Sequence, residues 1–582
     1  MSSLIQALDS KQMGENGTYE HTWAANSLKD QLVKIHFQLN RKNLMLSENL
    51  YLLLSELKQL YDEDSKTTHY KEYITMFYKM IGYTRDIVDG KGEYELTFLM
   101  IRYFYMFFPE LTMQFIPTLV QHNDFKHPYG SWKDLKYLCF HCKNSYSYDN
   151  YTTLNMYDKI IEKCCILYNE QLKKDYENVN NSSYNISLVA KWIPRENKKF
   201  GWLFYQLAES YFQNYMKTAK TLNQKILAKK KCYTEYRHII SLLNKKLDTL
   251  QIKQCENNWS NINFNNVTSI SMIKQKNAFL NRNKNGDVKH KNREDRLQCA
   301  NNFVEYLNDK NTHIKGKRVS TIDFTKEALN MIRLRQDYKV FYSSEIKLLN
   351  KQWEDNRSQN GKLGKMIAMV DTSASMEGEP LFSAIALGIR IAEMSSLGKR
   401  IMTFSATPCW VNLENVTDFV SCVEKISKAN WGMNTNFFAA MNLILDAIIE
   451  TNLNPCEVKD MVLVILSDMQ IDEANVDTKK STMYDKIKKK YEEVGMKLYG
   501  EPLIPPHILF WNLRSTNGFP NLTTEKNTSM MSGNNPALLN VFCEEGMEAL
   551  TQLTPWELLK KILRNKRYSI LQNFADDFLH KF

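Results

Sequence analysis

Two short apolar runs, each ending in an acidic residue, constrain the fold of this chain most strongly. Residues 365–371 are KMIAMVD, and residues 461–468 are MVLVILSD. Apolar runs of this length, bounded by polar turn residues, are typical of parallel strands that are buried on both faces. Because ligands bind outside the carboxyl ends of such strands, the residues at the end of each run are candidate site residues.

Oxygen-bearing side chains are concentrated at these strand ends. The first run continues as Asp-Thr-Ser-Ala-Ser, which places Asp371, Ser373 and Ser375 in one tight loop, and the second run ends at Asp468. Thr435 lies in a further loop, directly before an apolar helical segment. Carboxylate and hydroxyl oxygens suit Mg²⁺ or Mn²⁺, so the pattern predicts a divalent-cation site. The alternative is that these residues are ordinary helix N-caps and strand-end polar residues.

Together these loops resemble the von Willebrand factor A domain and its metal-ion-dependent adhesion site. The resemblance distributes the predicted metal ligands over three loops: Asp371, Ser373 and Ser375 in the first, Thr435 in the second and Asp468 in the third. The usual Gly-Gly-Thr or Gly-Thr of the second loop is stretched here to Gly-Met-Asn-Thr, residues 432–435. Asn434, Thr435 or Asn436 therefore remain alternative ligands from that loop.

Strand-like and helical segments alternate across residues 365–554. This alternation predicts an α/β domain of the Rossmann-like type, with a mostly parallel sheet and helices on both faces. Residues 555–582 add two helices that could pack back onto the preceding part of the chain. Residues 351–364 contain Asn, Ser and Gly without helical periodicity, and they are predicted to be a linker. A proteolytic fragment of about residues 360–582 is therefore expected to be stable.

The chain before this linker is helical in pattern almost throughout. Residues 1–25 are polar and predicted to be flexible, whereas residues 26–350 repeatedly place apolar residues at i, i+3 and i+4. More than 300 helical residues are too many to share the core of a single helix bundle. The pattern therefore favours stacked helix pairs. The predicted fold class is thus multidomain: an all-α HEAT-like solenoid followed by an α/β von Willebrand factor A domain.

Three local strings in the helical part carry a second resemblance. They are RDIVDGKGE at residues 85–93, YGSWKDL at residues 129–135 and AKWIPRE at residues 190–196. With a carboxy-terminal A domain, they resemble an uncharacterised TROVE-like family of plants, fungi and giant DNA viruses, related in architecture to the Ro ribonucleoprotein. The resemblance implies RNA binding and a solenoid closed on the A domain. Without it, residues 85–86 and 133–134 would be helix-surface pairs, and Trp132 and Trp192 core anchors.

The positive charge is concentrated in the helical part. Residues 361–582 hold 23 Lys and Arg against 26 Asp and Glu, and the other 360 residues hold 53 against 39. The first 360 residues therefore carry a net charge of about +14 and the remaining residues about −3, which gives the total of +11. A basic surface attracts polyanions such as RNA. Residues 281–318 are a basic insertion or loop, with a solvated surface as the alternative. The candidate RNA contacts are Lys229, Lys230, Lys231, Arg237, Lys289, Lys291, Lys315 and Lys317.

Several function classes lack support in the sequence. Residues 139–142, Cys-Phe-His-Cys, have a zinc-like spacing, but no second such pair follows, so the 11 cysteines are interpreted as free thiols. The amino terminus does not resemble a signal peptide, and no segment resembles a membrane span. No recognisable catalytic set is present.

The predicted function is a non-enzymatic, cytoplasmic RNA-binding protein of a cell or virus, with Mg²⁺ or Mn²⁺ bound. The alternative is a scaffold whose metal binds an acidic protein partner.

Overall fold

The computed structural model describes most of the chain. The described residues are 11–13, 19–22, 27–41, 43, 46–64, 69–121, 127–144, 157–181, 185–283, 285–338, 343–404, 407–429, 437–469, 483–515, 518–520, 522–543 and 552–579. They form a helical part followed by an α/β part that is built on a six-stranded sheet. This confirms the combination of a helical region with a mostly parallel α/β region.

Apolar residues at helical spacing produce the helical part. The helix at Leu46–Asp62, for example, buries Leu46, Leu50, Leu53, Leu54 and Leu57 along one face, as the i, i+3, i+4 rule requires. The helices of this part are α1 (Leu28–Gln38), α2 (Leu46–Asp62), α3 (Tyr70–Arg85), α4 (Tyr94–Phe107), α5 (Pro109–Phe115), α6 (Trp132–Asn144), α7 (Asp158–Asn180), α8 (Val189–Trp192), α9 (Gly201–Tyr211), α10 (Gln213–Thr218), α11 (Leu222–Lys246), α12 (Leu250–Cys255), α13 (Ser269–Phe279), α14 (Glu294–Asn308), α15 (Thr321–Tyr338) and α16 (Ser343–Arg357).

Two predicted boundaries differ from the structure. The linker predicted at 351–364 begins inside α16, which continues to Arg357, because Leu348, Leu349 and Trp353 bury one face of this helix. The segment predicted as a basic insertion or loop, 281–318, contains α14 and belongs to a local apolar core formed with α13 and α16.

The amino-terminal residues that are described are not all irregular. Within the stretch predicted to be flexible, Lys11–Met13 (β1) and Tyr19–His21 (β2) pair as antiparallel strands. His21 also forms an isolated β-bridge with Phe519 of the α/β part. This pairing ties the beginning of the described chain to the α/β part.

The α/β part is built on six strands, β3 (Lys365–Asp371), β4 (Arg400–Phe404), β5 (Cys409–Asn412), β6 (Met461–Ser467), β7 (His507–Asn512) and β8 (Thr528–Ser532). They form one sheet in the order β5-β4-β3-β6-β7-β8. Every neighbouring pair is parallel except β4 and β5, which are antiparallel at one edge. The helices are α17 (Glu379–Met394), α18 (Phe419–Ser427), α19 (Phe437–Glu450), α20 (Pro455–Lys459), α21 (Met483–Tyr499), α22 (Pro555–Leu563) and α23 (Ser569–Leu579).

One continuous apolar core joins the two parts. It extends from Leu28 in α1 to Leu579 in α23. Helix α1 packs against β8 and α22, α3 packs against α23, and α15 packs against α17 and α18. The predicted return of the carboxy-terminal helices onto the helical part is therefore confirmed. Within the described residues, no helix combines the length and apolar character that a membrane span requires.

Candidate metal centre

The two buried acidic residues lie at the carboxyl ends of neighbouring parallel strands. The register of β3 and β6 pairs Val370 with Leu466, so Asp371 and Asp468 extend from the same edge of the sheet. Both side chains are fully buried. Hydrophobic residues fill both faces of these strands, which leaves the strand ends as the only polar positions along each run.

The loop after β3 is organised around the carboxylate of Asp371. One carboxylate oxygen, Oδ1, accepts the backbone N–H of Ser373 at 2.9 Å, and Oδ2 accepts the hydroxyl of Ser467 at 2.6 Å. The hydroxyl oxygens of Ser373 and Ser375 lie 3.1 Å apart. Ser373 is buried, whereas Ser375 is partly exposed, so the cluster opens toward solvent on the Ser375 side.

Electrostatics at this edge favour a cation. Burial and, to a smaller extent, the negative charge of Asp468 together raise the pKa of Asp371 to about 7. Two neighbouring carboxylates in a low-dielectric site repel each other, and a divalent cation between them would relieve that repulsion. Among the described residues, no group of three or more His, Cys, Asp or Glu side chains could hold a metal. The two carboxylates and the hydroxyls of Ser373 and Ser375 form an all-oxygen set, and oxygen ligands are those that Mg²⁺ or Mn²⁺ prefers.

The residues of the second predicted metal loop, Thr435 and its alternatives Asn434 and Asn436, lie outside the described residues. The structure therefore brings together four of the five predicted metal ligands.

A cationic side chain at this site was not anticipated from the sequence. Arg514 follows β7, and its Nη1 atom lies 3.5 Å from Asp468 Oδ2 and donates to the carbonyl of Ser375 at 2.7 Å. Arg514 is two residues beyond Asn512, the last residue of a strand parallel to β6. Extending the strand-end rule to the third parallel strand would therefore have identified it.

The helical part holds the loop that carries Arg514. Asn40 donates its side-chain amide to the Arg514 carbonyl at 3.1 Å, and Asn512 donates to the carbonyl of Phe37 at 3.3 Å. Arg41 binds Glu379, at the start of α17, at 3.3 Å. The residues around the end of α1 therefore position the loops that surround the candidate metal site.

The string at residues 85–93 forms a buried connection between the two parts. Arg85 donates two hydrogen bonds to Asp134, at 2.9 and 2.8 Å, and Asp86 accepts two from Arg567, at 2.6 and 2.7 Å. All four side chains are buried. The interpretation of residues 85–86 and of Asp134 as surface pairs was therefore wrong, because their charged partners lie in other helices and across the domain boundary.

The next part of this string enters the same interface. Lys91 Nζ donates to the carbonyl of His36 at 2.9 Å and to the hydroxyl of Ser532, in β8, at 2.5 Å. Burial lowers the pKa of Lys91 to about 7, an effect that the nearby carboxylate of Glu93 partly opposes. The string thus contributes structural contacts between the helical part and the sheet.

The predicted RNA-contacting residues lie on two separate elements. The first group, Lys229, Lys230, Lys231 and Arg237, lies in the long helix α11. The second group flanks α14 and consists of Lys289, Lys291, Lys315 and Lys317. The side chains of all eight residues are exposed. Three of the eight form ion pairs: Lys229 with Glu209 (3.3 Å), Lys231 with Glu235 (3.8 Å) and Arg237 with Glu196 (2.8 Å).

These pairs reduce the net positive charge of the α11 surface. Lys230 has no acidic partner among the described residues, and Lys315 Nζ donates to the carbonyl of Asn265 at 2.6 Å.

Comparisons with known proteins cover both parts of the chain. Residues 365–566 match a family model described as a domain of unknown function (DUF7788), and residues 142–290 match another, DUF2828. An uncharacterized protein of Acanthamoeba polyphaga mimivirus is 28% identical over 477 residues, which cover 79% of this chain and 75% of the relative. No solved structure matches the chain significantly. The chain is therefore similar, across its helical and α/β parts together, to a viral protein of the same general length.

Proposed function

We propose that this chain is a non-enzymatic RNA-binding protein of the Ro-like, TROVE-like type. In this proposal a HEAT-like helical part contacts RNA, and a von Willebrand factor A-like part binds Mg²⁺ or Mn²⁺. The observation that carries the metal assignment is the meeting of Asp371 and Asp468 beside the hydroxyls of Ser373 and Ser375. The 11 cysteines are all free thiols, as is typical of proteins in a reducing compartment such as the cytoplasm.

The bound cation would supply a coordination position for an external oxygen ligand. The residues of this chain would hold it from the buried side, with Ser467 orienting the carboxylate of Asp371 through their 2.6 Å hydrogen bond. Ser375, on the open side, leaves room for a carboxylate from a partner protein.

The metal assignment is tested by calorimetric titration of Mn²⁺ into the full chain. Asp371→Ala should abolish binding, because it removes the central carboxylate, and Thr435→Ala tests the contribution of the second loop. Asp446→Ala is a matched control, since Asp446 is an exposed acid of α19. Mn²⁺ affinity that is the same in Asp371→Ala and in the control would refute the site.

Charge distribution supports the RNA assignment. The helical part is net positive and the α/β part is slightly net negative, and exposed lysines such as Lys230 can neutralise phosphates. The test measures RNA affinity of the full chain at several salt concentrations. Reversing residues 229–231 to Glu should lower the slope of log affinity against log salt by about two units, at roughly 0.7 unit per lost contact.

The matched control for this experiment is a variant in which residues 488–490 are replaced by Glu. These are three consecutive exposed lysines in α21 of the α/β part. Reversal of these lysines changes the net charge equally but should leave the slope nearly unchanged. Equal slopes for both triple variants would contradict RNA binding by α11. The protein scaffold, with an acidic partner at the metal, would then be the better interpretation.

A further inference from the structure

The string at residues 190–196 forms one wall of a groove in the helical part. The groove has a volume of about 480 Å³, within the range of roughly 300–1,000 Å³ that is usual for small-ligand sites. Its other wall is formed by α11 and α12. The residues whose chemistry matters here are Lys191, Trp192, Arg195, Arg237, Asn244 and Gln251.

Cations outnumber acids along this groove. Lys191 and Arg195 have no acidic partner among the described residues, whereas Arg237 is paired with Glu196 at 2.8 Å. Lys191 is partly buried, and burial lowers the pKa of its ammonium. A half-buried lysine without a counter-charge is electrostatically unfavourable, and an anionic ligand would compensate it.

The groove also offers an aromatic ring and an unused hydrogen-bond acceptor. The indole of Trp192 is partly buried, and Lys136 Nζ lies 5.1 Å from its ring centroid. The side-chain oxygen Oε1 of Gln251 is buried and accepts no hydrogen bond within the described structure. Asn244 closes the wall by donating to the carbonyl of Ala190 at 3.1 Å.

We propose that this groove binds one nucleotide, with phosphate at Lys191 and Arg195 and the base near Trp192 and Gln251. A phosphate would neutralise the two unpaired cations, and an exocyclic amine or ring N–H of a base would satisfy Gln251 Oε1. An unpaired base can stack on an exposed aromatic face. The inference rests on the proposed RNA-binding function for the source of the nucleotide, which is an unpaired residue of RNA rather than a free mononucleotide.

The experiment uses the full chain and two probes that are titrated separately. The first is a fluorescein-labelled single-stranded oligonucleotide of mixed RNA sequence, followed by fluorescence anisotropy, and the second is unlabelled AMP or UMP, followed by calorimetry. Lys191→Ala and Arg195→Ala should each weaken oligonucleotide binding about tenfold, the effect of one lost charge-assisted hydrogen bond. Each should also lower the salt slope by about 0.7 unit. Gln251→Leu should weaken binding without changing the salt slope, since it removes no charge. Lys488→Ala is the control, because Lys488 is an exposed lysine of α21.

The outcomes separate this inference from the proposed function. If the wild type binds the oligonucleotide and the groove variants bind as Lys488→Ala does, RNA binding stands and the groove proposal is overturned. If mononucleotides bind and the oligonucleotide does not, the groove is a free-nucleotide site and the RNA proposal fails. If neither probe binds to the wild type, both proposals are wrong.

Discussion

The buried pair between Asp86 and Arg567 gives the sharpest test of how the two parts are held together. Asp86 is fully buried, and the side chain of Arg567 is 7% exposed. Removing one partner of such a pair leaves an uncompensated buried charge, which typically costs about 3–5 kcal/mol. After Asp86→Ala, the guanidinium of Arg567 would retain the carbonyl of His127 at 3.3 Å and Asp89 at 3.9 Å.

These remaining contacts place the expected loss for Asp86→Ala near the lower end of that range, about 3 kcal/mol. The double variant Asp86→Ala/Arg567→Met removes both charges together, so it should lose much less than the sum of the two single variants. Urea denaturation followed by circular dichroism gives the free energy of unfolding of each variant. The exposed pair of Lys58 and Asp62 is the control, and its removal should change stability by less than about 1 kcal/mol.

Two results would refute this reasoning. The first is a loss for Asp86→Ala that is no larger than that of the control pair. The second is additive behaviour of the double variant, which would show that the two side chains do not interact in solution.

Three further predictions concern other sites. The pKa of Lys91 is about 7 in the folded protein and 10.5 in the unfolded chain, so the free energy of unfolding of the wild type should rise between about pH 7 and pH 10.5, by up to about 1.4 kcal/mol per pH unit. Lys91→Met should remove this rise. Urea midpoints at pH 7.5 and 9.5 check this, and an equal change of stability with pH in both proteins would contradict it. Gly316→Ala should destabilise the protein by about 2 kcal/mol, since its Cβ would lie 1.8 Å from the carbonyl oxygen of Gln352; an unchanged thermal midpoint would show that the backbone adjusts. Arg514→Gln should raise Mn²⁺ affinity, because the guanidinium competes for Asp468, and calorimetry that shows equal or weaker binding would exclude such competition.

Local patterns predicted the elements that depend on local forces. The apolar run at residues 365–371 predicted β3, and the helical spacing of apolar residues across residues 26–350 predicted helices such as α4. The candidate metal ligands Asp371 and Asp468 followed from the same reasoning, since parallel strands end at a common edge.

Pairings between distant segments were not predictable in this way. A charged residue such as Asp86 looks solvent-exposed in a helical pattern, and nothing in its neighbourhood indicates a partner 481 residues away. The strand-end rule makes Arg514 a candidate, but its contact with Asp468 depends on β7 lying next to β6 in the sheet, which the sequence pattern does not give. Sheet order and helix docking arise from tertiary packing, which periodicity does not encode.

The shared core also changes the expectation that about residues 360–582 form an autonomous fragment. Helix α1 and α3 cover β8, α22 and α23, so a cut between the two parts would expose apolar surface on both. Such a fragment is expected to associate or to be degraded rather than to persist as a stable domain.

The long separation between Asp86 and Arg567 has a consequence for synthesis in the cell. Ribosomes add roughly 5–20 residues per second, so the 481 residues between them take about half a minute to a minute and a half to translate. During that interval the surface of α3 that later receives α23 is without its partner. Transient protection by a chaperone, measurable as a longer association with nascent chains that stop before Arg567, is the expected outcome.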